Sequence, residues 1–312
     1  MSVSSDPYDW TKDRISYLVQ KIKLIKDDDQ QVSSGEIWSI KKLLALDYYI
    51  AATHVIFKKN FNKWYFVDTH CGSGLIGFKD KLLKDEKFPG SPLIATLRNE
   101  THPFSDYLMS DISDESINTL KERLLKLKTN VGNRTYSPKI RSFSETAQIV
   151  KDMDSGWGNV FLVFIDPTKY TDLQWKDVEK LLSIDKADIF INFMSYSVAL
   201  NRPHALKQEE SAKTFDNVFG TTEWRKCNSQ DELVELYKKQ LRTKKEFVEE
   251  IPIFRAGENI LYHLIFASNN RKGAGSIMTY TKGIMDNVTT ELIADALKVA
   301  TNKSQDLDQW FV

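Results

Sequence analysis

The sequence has few of the features that define several large protein classes. Only two of its 312 residues are cysteines, Cys71 and Cys227, so we expect neither a disulfide framework nor a metal site. Its 13 glycines and 8 prolines are too few for a fibrous or disordered chain. No apolar run approaches the roughly 20 residues of a membrane-spanning helix, and residues 1–10 lack a signal-peptide core. We therefore expect a cytoplasmic protein without a membrane segment.

The balance of charge argues against a strongly basic nucleic-acid-binding protein. The chain has 43 basic and 43 acidic side chains, so any contact with nucleic acid has to come from local patches. Residues 121–128 and 238–245 are two basic clusters that are candidates for such patches. Hydrophobic residues make up 41% of the chain, which is ample for a core, and its length suits one elaborated domain or two.

The functional prediction depends on the segment 64–77. An apolar run there ends at Asp68, and Gly72 and Gly74 follow. This pattern predicts a buried strand, a tight turn and the start of a helix, with Gly77 inside that helix. Glycines let the backbone turn sharply and approach a ligand, and open α/β sheets bind ligands beyond the carboxyl ends of their strands. We expect a nucleotide-type cofactor at this turn.

Strands and helices alternate along most of the chain. The alternation predicts an α/β fold with a Rossmann-like, doubly wound, seven-stranded sheet that ends in an antiparallel hairpin. The predicted strands are 64–67, 107–109, 139–141, 160–165, 188–194, 247–253 and 259–267.

The segments outside this pattern suggest three units. Residues 1–60 are predicted to form N-terminal helices that pack on the core, which comprises 61–197 and 245–312. Residues 198–244 read as a helical insertion that is a candidate substrate lid, because insertions and loops often carry substrate choice. Arg202, just after the fifth strand, is a candidate contact for a substrate phosphate or carboxylate.

Three predicted strands are followed by acids: Asp68, Asp111 and Asp166. At one edge of a sheet these acids and the glycines suit a nucleotide cofactor. The spacing from Gly72 to Gly77 also fits the G-x-G-x-x-G pattern of dinucleotide sites, so an NAD-dependent oxidoreductase is one alternative. The early position of Asp68 and the terminal hairpin instead favour S-adenosylmethionine (SAM). A second alternative is a non-catalytic SAM-binding partner protein that retains the fold.

The order of these motifs resembles class I SAM-dependent methyltransferases. The run from Asp68 to Gly74 resembles their first motif, Asp111 matches their ribose-binding acid, and Asp166-Pro167 matches their fourth motif. More narrowly, the chain is similar to the three-Cys-motif partner (TcmP-like) family, although that family tends to carry Asp-Pro-Phe-Gly at the fourth motif. The narrower resemblance rests on Trp38, Lys42-Leu43, Tyr49, Gly90 to Ala95, Trp175, the 191–193 run and the 264–269 run.

The resemblance implies a methyltransferase that uses SAM, with N-methylation of an RNA or DNA base as its reaction and a protein partner as a further possibility. It implies catalytic roles for Asp166, Pro167 and Tyr170. Tyr170 would stack on a base, or else pack at the sheet edge. Tyr170 and Arg202 would bind the substrate. The implied cofactor contacts are Lys42, Asp68, Cys71, Gly72, Ser73, Gly74, Asp111, Ile112, Ser144 and Asp166.

Overall fold

The structure is a computed structural model that describes residues 6–61, 63–79, 83–98, 104–127, 138–154, 158–255 and 259–301. Its strands are β1 (Ser33–Gly35), β2 (Lys63–Asp68), β3 (Leu75–Phe78), β4 (Lys87–Pro89), β5 (Asp106–Asp111), β6 (Lys139–Ile140), β7 (Asn159–Ile165), β8 (Ala187–Phe193), β9 (Phe247–Phe254) and β10 (Ile260–Ser268). Its α-helices are α1 (Pro7–Lys21), α2 (Ile40–Asn60), α3 (Ser91–Leu97), α4 (Asp114–Lys126), α5 (Phe143–Asp152), α6 (Trp175–Leu182), α7 (Ser195–Ala205), α8 (Glu209–Phe219), α9 (Gln230–Arg242), α10 (Ser276–Met285) and α11 (Thr290–Ala300). Short 3-10 helices span Ile37–Ser39, Tyr170–Asp172 and Glu223–Lys226.

Seven strands form the central sheet in the order β6-β5-β2-β7-β8-β10-β9. The strands from β6 to β8 are parallel, whereas β10 runs antiparallel to both of its neighbours. The predicted α/β class, the seven-stranded doubly wound sheet and the terminal hairpin are therefore confirmed. The strand order reverses at β2, which pairs with β5 on one side and with β7 on the other. The crevice at such a reversal is where open α/β sheets bind ligands.

Helices cover both faces of the sheet. In β7, Leu162 and Phe164 pack into a core formed with α1 to α4, α10 and α11, while Phe161 and Val163 pack into a second core formed with α5 to α9. Strands that are buried on both faces are apolar throughout, which explains the continuous hydrophobic run of β7. The carboxyl edge of the parallel strands lies between these two helical layers.

The segment 198–244 is helical, as predicted, and it contributes to the second core. Phe215, Trp224 and Tyr237 are at most 1% exposed, and the Tyr237 ring stacks on Phe193 of β8 with centroids 4.4 Å apart. The segment thus forms a packed layer of the fold. Its role as a substrate lid stays a prediction, as does the division of the chain into three units.

The segment after the glycine turn is a strand, which corrects the predicted helix. β3 pairs in parallel with β1 and antiparallel with β4, so it belongs to a small second sheet. Gly77 therefore lies in a strand. A Cβ on Gly35 in β1 would stand 2.2 Å from Cγ2 of Ile76, so only glycine permits this pairing distance. Ser33 and Ser34 lie in β1 together with Gly35.

Candidate functional site

Asp111, at the end of β5, holds the glycine turn in place. Its Oδ2 accepts a hydrogen bond from the Gly72 amide at 2.9 Å, and its Oδ1 accepts one from the Ser113 amide at 2.9 Å. Gly72 and Gly74 have φ angles of +57° and +90°, in a region that other residues rarely adopt. A Cβ on Gly74 would also stand 2.8 Å from Cδ1 of Leu120. Both backbone conformation and packing therefore require glycines here.

A buried ion pair supports the same turn from α4. The Arg123 guanidinium is fully buried, donates from Nη1 to the Ser73 carbonyl oxygen at 2.7 Å, and pairs with the Asp28 carboxylate at 2.9 Å. Burial acts to raise the pKa of Asp28, but Arg123 holds it below its usual value. The sequence placed Arg123 in a basic cluster and carried no signal for a partner 95 residues away.

Asp68 lies fully buried at the carboxyl end of β2. Its Oδ1 accepts a hydrogen bond from the His70 amide at 3.3 Å. Burial raises the pKa of Asp68 to about 7, the charges of Asp166 and Asp111 raise it further, and bonding to Ser91 and His70 opposes the shift. A cation bound next to this carboxyl would stabilise its ionised form.

Asp166, after β7, is the centre of a second cluster. The Lys42 ammonium from α2 donates to both Asp166 oxygens, at 2.7 and 2.6 Å, and the Asn192 amide from β8 donates to Oδ1 at 2.7 Å. Lys42 Nζ also lies 5.5 Å from the ring centroid of Tyr262 in β10. Sequence reasoning singled out Lys42 and Asp166 separately, and the structure joins them. Sequence reasoning did not identify Asn192 or Tyr262 as site residues, although a polar residue within an apolar strand is a recognisable signal.

The other predicted cofactor contacts lie in the glycine turn, directly after β5, and in α5. Cys71 is 4% exposed, its amide donates to the Ser110 carbonyl oxygen at 2.9 Å, and burial raises the pKa of its thiol well above the usual value. Such a thiol is a poor nucleophile. Ser73 is fully buried, and Ile112 is 77% exposed beside Asp111. Ser144 lies in α5 and donates to Oδ1 of Asp177 at 2.9 Å.

Tyr170 and Arg202, the predicted substrate contacts, have partners in the helical segment between β8 and β9. The Tyr170 ring packs edge-on against Phe215 of α8, with centroids 5.6 Å apart. Arg202 donates to the carbonyl oxygens of Trp224 and Arg225, at 3.3 and 2.7 Å. These contacts occupy part of the Arg202 guanidinium, and its role as a substrate contact stays a prediction. Base stacking by Tyr170 and its packing at the sheet edge both stay predictions.

Two lysines of the basic cluster 238–245 are engaged within the protein. Lys238 is 7% exposed and lies within 3.2 Å of carboxylates of Glu235 and Glu250. Lys245 is 2% exposed and donates to the carbonyl oxygens of Ile184 and Ala187. Burial lowers the pKa of Lys245 to about 8. Neither lysine therefore belongs to an open phosphate-binding patch.

The part of the chain that the structure describes contains neither a metal-ligand cluster nor a membrane-spanning helix. There, no three or more His, Cys, Asp or Glu side chains are grouped so that they could hold a metal ion. Within the same residues, no helix has both the length and the apolar character needed to cross a membrane.

Comparisons with known proteins identify no family for the chain. No protein-family model matches it, and no curated protein is significantly similar to it. The resemblance to the three-Cys-motif partner family therefore stays a prediction.

Solved structures do show distant similarity. Protein LPL1258 from Legionella pneumophila is 12% identical with a TM-score of 0.46, over 75% of this chain and 86% of that chain. The plantazolicin methyltransferase BpumL in complex with SAH is 13% identical with a TM-score of 0.36, over 83% of this chain and 99% of that chain. Trm1 from Pyrococcus horikoshii in complex with SAM is 8% identical with a TM-score of 0.38, over 75% of this chain and 57% of that chain. Because these TM-scores are all below 0.5, the fold assignment rests on the strand order of the chain itself.

Proposed function

We propose that the protein is a SAM-dependent methyltransferase. The observation that carries the proposal is the bond from the Gly72 amide to Asp111, which assembles a positive-φ glycine turn and two acids at the reversal of strand order. The donor set suits SAM, because Asp68 can pair with its ammonium group, Asp111 with its ribose hydroxyls and Lys42 with its carboxylate. SAM supplies an activated methyl group, so the protein mainly has to orient the acceptor.

The structure weakens the NAD alternative. A dinucleotide fingerprint requires that the glycine turn open a helix, whose N-terminus then holds the pyrophosphate. Here the turn leads into β3, and the third glycine of the pattern, Gly77, pairs with Lys87 of β4. The G-x-G-x-x-G spacing is therefore present without the helix that a dinucleotide site needs after its glycine turn.

The proposed acceptor is an amino group of a nucleic-acid base. The support for it is local: Asp166 presents carboxylate oxygens beyond the end of β7, where an amine can donate to them. The overall charge adds no support, and three residues of the two basic clusters, Arg123, Lys238 and Lys245, are buried and bonded within the protein. A protein amine or amide is the competing acceptor.

Transfer of tritium from methyl-labelled SAM into separate tRNA, rRNA, DNA and protein fractions tests the activity. We expect label in a nucleic-acid fraction, and at least a tenfold loss with Asp166→Asn. Exposed Asp172, in the following 3-10 helix, provides the matched control Asp172→Asn, which should retain activity. SAM binding without transfer to any fraction would instead support the non-catalytic partner protein. Binding of NAD and not SAM would overturn the proposal.

A further inference from the structure

Asn192 and Tyr262 carry polar atoms for which the described residues supply no partner. Asn192 is 3% exposed, and while its amide nitrogen donates to Asp166, its Oδ1 accepts no hydrogen bond from the described part of the chain. The Tyr262 hydroxyl is also buried and lacks a partner among the described residues. Leaving such a group unsatisfied destabilises the folded protein. Buried atoms of this kind therefore point to a ligand.

The sheet register places both side chains on the same face. Asn192 pairs with Leu264 across the β8–β10 ladder, and Tyr262 precedes Leu264 by two residues. Side chains two residues apart in a strand point to the same face. Burial and the nearby charge of Asp166 raise the pKa of the Tyr262 hydroxyl well above its usual value, so it stays protonated and acts as a donor. Asp166, Asn192 and Tyr262 thus converge beneath Lys42.

The hydrogen bonds within the cluster leave a defined set of donor and acceptor positions on Asp166, Asn192 and Tyr262 without a partner among the described residues. An ionised carboxylate has about four acceptor positions. Lys42 uses one position on each oxygen of Asp166, and Asn192 uses a second on Oδ1. The described residues leave one position open on Oδ2 of Asp166, whose side chain is 19% exposed. The cluster therefore offers two acceptors, Asp166 Oδ2 and Asn192 Oδ1, and one donor, the Tyr262 hydroxyl.

We propose that this cluster recognises the amino edge of a nucleobase, in which an exocyclic amino group stands beside a ring nitrogen. The two N–H groups of the amino group donate to Asp166 Oδ2 and Asn192 Oδ1, and the ring nitrogen accepts from Tyr262. Cytosine and adenine present this edge, whereas uracil and thymine present a carbonyl oxygen in place of the amino group. The inference rests on the proposed function and names the acceptor class of the same site.

A nearby cavity favours a nucleotide over a glutamine-type carboxamide, which has a similar donor–acceptor edge. The cavity has a volume of about 300 Å³ and is lined by Trp38 and Lys41, just before Lys42, and by Phe254 and Arg255 at the carboxyl end of β9. The Arg255 guanidinium lies 6.0 Å from the Trp38 ring centroid. Aromatic faces stack on bases and cations pair with phosphates. Acidic side chains also line the cavity and offset part of this positive charge: Asp286 and Glu291.

Binding of cytidine and uridine 5′-monophosphates to the full chain tests the inference. The two nucleotides differ only at the edge in question, and equilibrium titrations are run with and without saturating S-adenosylhomocysteine (SAH). We expect cytidine monophosphate to bind at least tenfold more tightly than uridine monophosphate. The site's two acceptors and one donor match the cytosine edge, whereas the uracil edge would leave buried polar groups of the site unpaired. Asn192→Ala and Tyr262→Phe should each bring the ratio close to one without changing SAH affinity.

Tyr237→Phe is the matched control, because the Tyr237 hydroxyl is also buried without a partner in the described chain but lies in the opposite core. Equal affinities for the two nucleotides, or binding of neither, would overturn the inference. Tighter binding of N-acetylglutamine amide would replace the nucleobase by a protein acceptor. Loss of SAH affinity in Tyr262→Phe would assign the cluster to the cofactor. If the protein binds neither SAM nor SAH, the proposed function fails separately, and the nucleotide ratio still decides the inference.

Discussion

Lys42 donates to both carboxylate oxygens of Asp166, at 2.7 and 2.6 Å, although 124 residues separate them in the sequence. This ion pair connects the first turns of α2 to the carboxyl end of β7. It brings together a lysine that was expected to bind SAM and an acid that was expected to act on the acceptor. The pair thereby holds one positive and one negative charge at the point where SAM and the methyl acceptor would meet.

Removing Lys42 should destabilise the fold through its effect on Asp166. Lys42→Met leaves the carboxylate with Asn192 as its side-chain donor among the described residues, and we expect a loss of about 2 kcal/mol in the free energy of unfolding. Asp166→Asn combined with Lys42→Met should recover part of that loss, because no unpaired charge remains. Urea unfolding of the wild type, both single variants and the double variant measures the coupling. Additive effects would show that the ion pair contributes no net stability.

Lys42 should also discriminate between ligands according to their carboxylate. We expect Lys42→Met to weaken binding of SAH at least tenfold and to leave the affinity for 5′-methylthioadenosine, which has no carboxylate, almost unchanged. Exposed Lys213, on α8, provides the control variant Lys213→Met. An equal loss for both ligands would remove Lys42 from the carboxylate contact.

The raised pKa of Asp68 predicts a specific dependence of stability on pH. The carboxyl has a usual pKa of 3.8 and a pKa of about 7 in the folded protein, so the folded state holds its proton more tightly than the unfolded state. Its contribution to stability is therefore complete below pH 4 and is lost as the pH rises from about 4 to 7. Urea unfolding at several pH values should show a shallower decline for Asp68→Asn than for the wild type. Parallel curves would contradict the shifted pKa.

Arg123 should matter for both stability and cofactor binding. Arg123→Met leaves the buried Asp28 carboxylate without the Arg123 guanidinium and removes the hydrogen bond to the Ser73 carbonyl. We therefore expect the free energy of unfolding to fall by about 3 kcal/mol. SAM affinity should fall because the glycine turn is less constrained. Exposed Lys126, in the same helix, provides Lys126→Met as the control. Calorimetric titration at a temperature where both variants are folded separates the two effects, and unchanged affinity would contradict the supporting role.

The sheet could be predicted from the sequence because its strands carry their own signal. The apolar run of β7 and the two runs that form β9 and β10 are long, and turn residues separate them. β3 could not be predicted, because Leu75–Phe78 is short and its strand character comes from pairing with β1. The local sequence of β3 cannot indicate a pairing with β1, which lies more than 40 residues earlier in the chain.

Some residues of the candidate site could likewise be predicted from the sequence, and others could not. Asp68, Asp111 and Asp166 are predictable because each follows a strand, and topology alone brings strand ends together. The contacts of Arg202 with the Trp224 and Arg225 carbonyls were not predictable, because backbone oxygens are present in every sequence and leave no local signal. Asn192 stands out in the sequence as a polar residue within an apolar strand, but the unsatisfied Asn192 Oδ1 and Tyr262 hydroxyl become visible only in the packed structure.

The claim that the Asp111-held glycine turn binds SAM is tested most directly by isothermal titration of the protein with SAM. Asp111→Ala is compared with Asp114→Ala, which changes an exposed acid three residues away in the first turn of α4. The account predicts saturable binding by the wild type and Asp114→Ala, and at least a tenfold weaker affinity for folded Asp111→Ala. Equal affinities in all three proteins, or no SAM binding by the wild type, would contradict it.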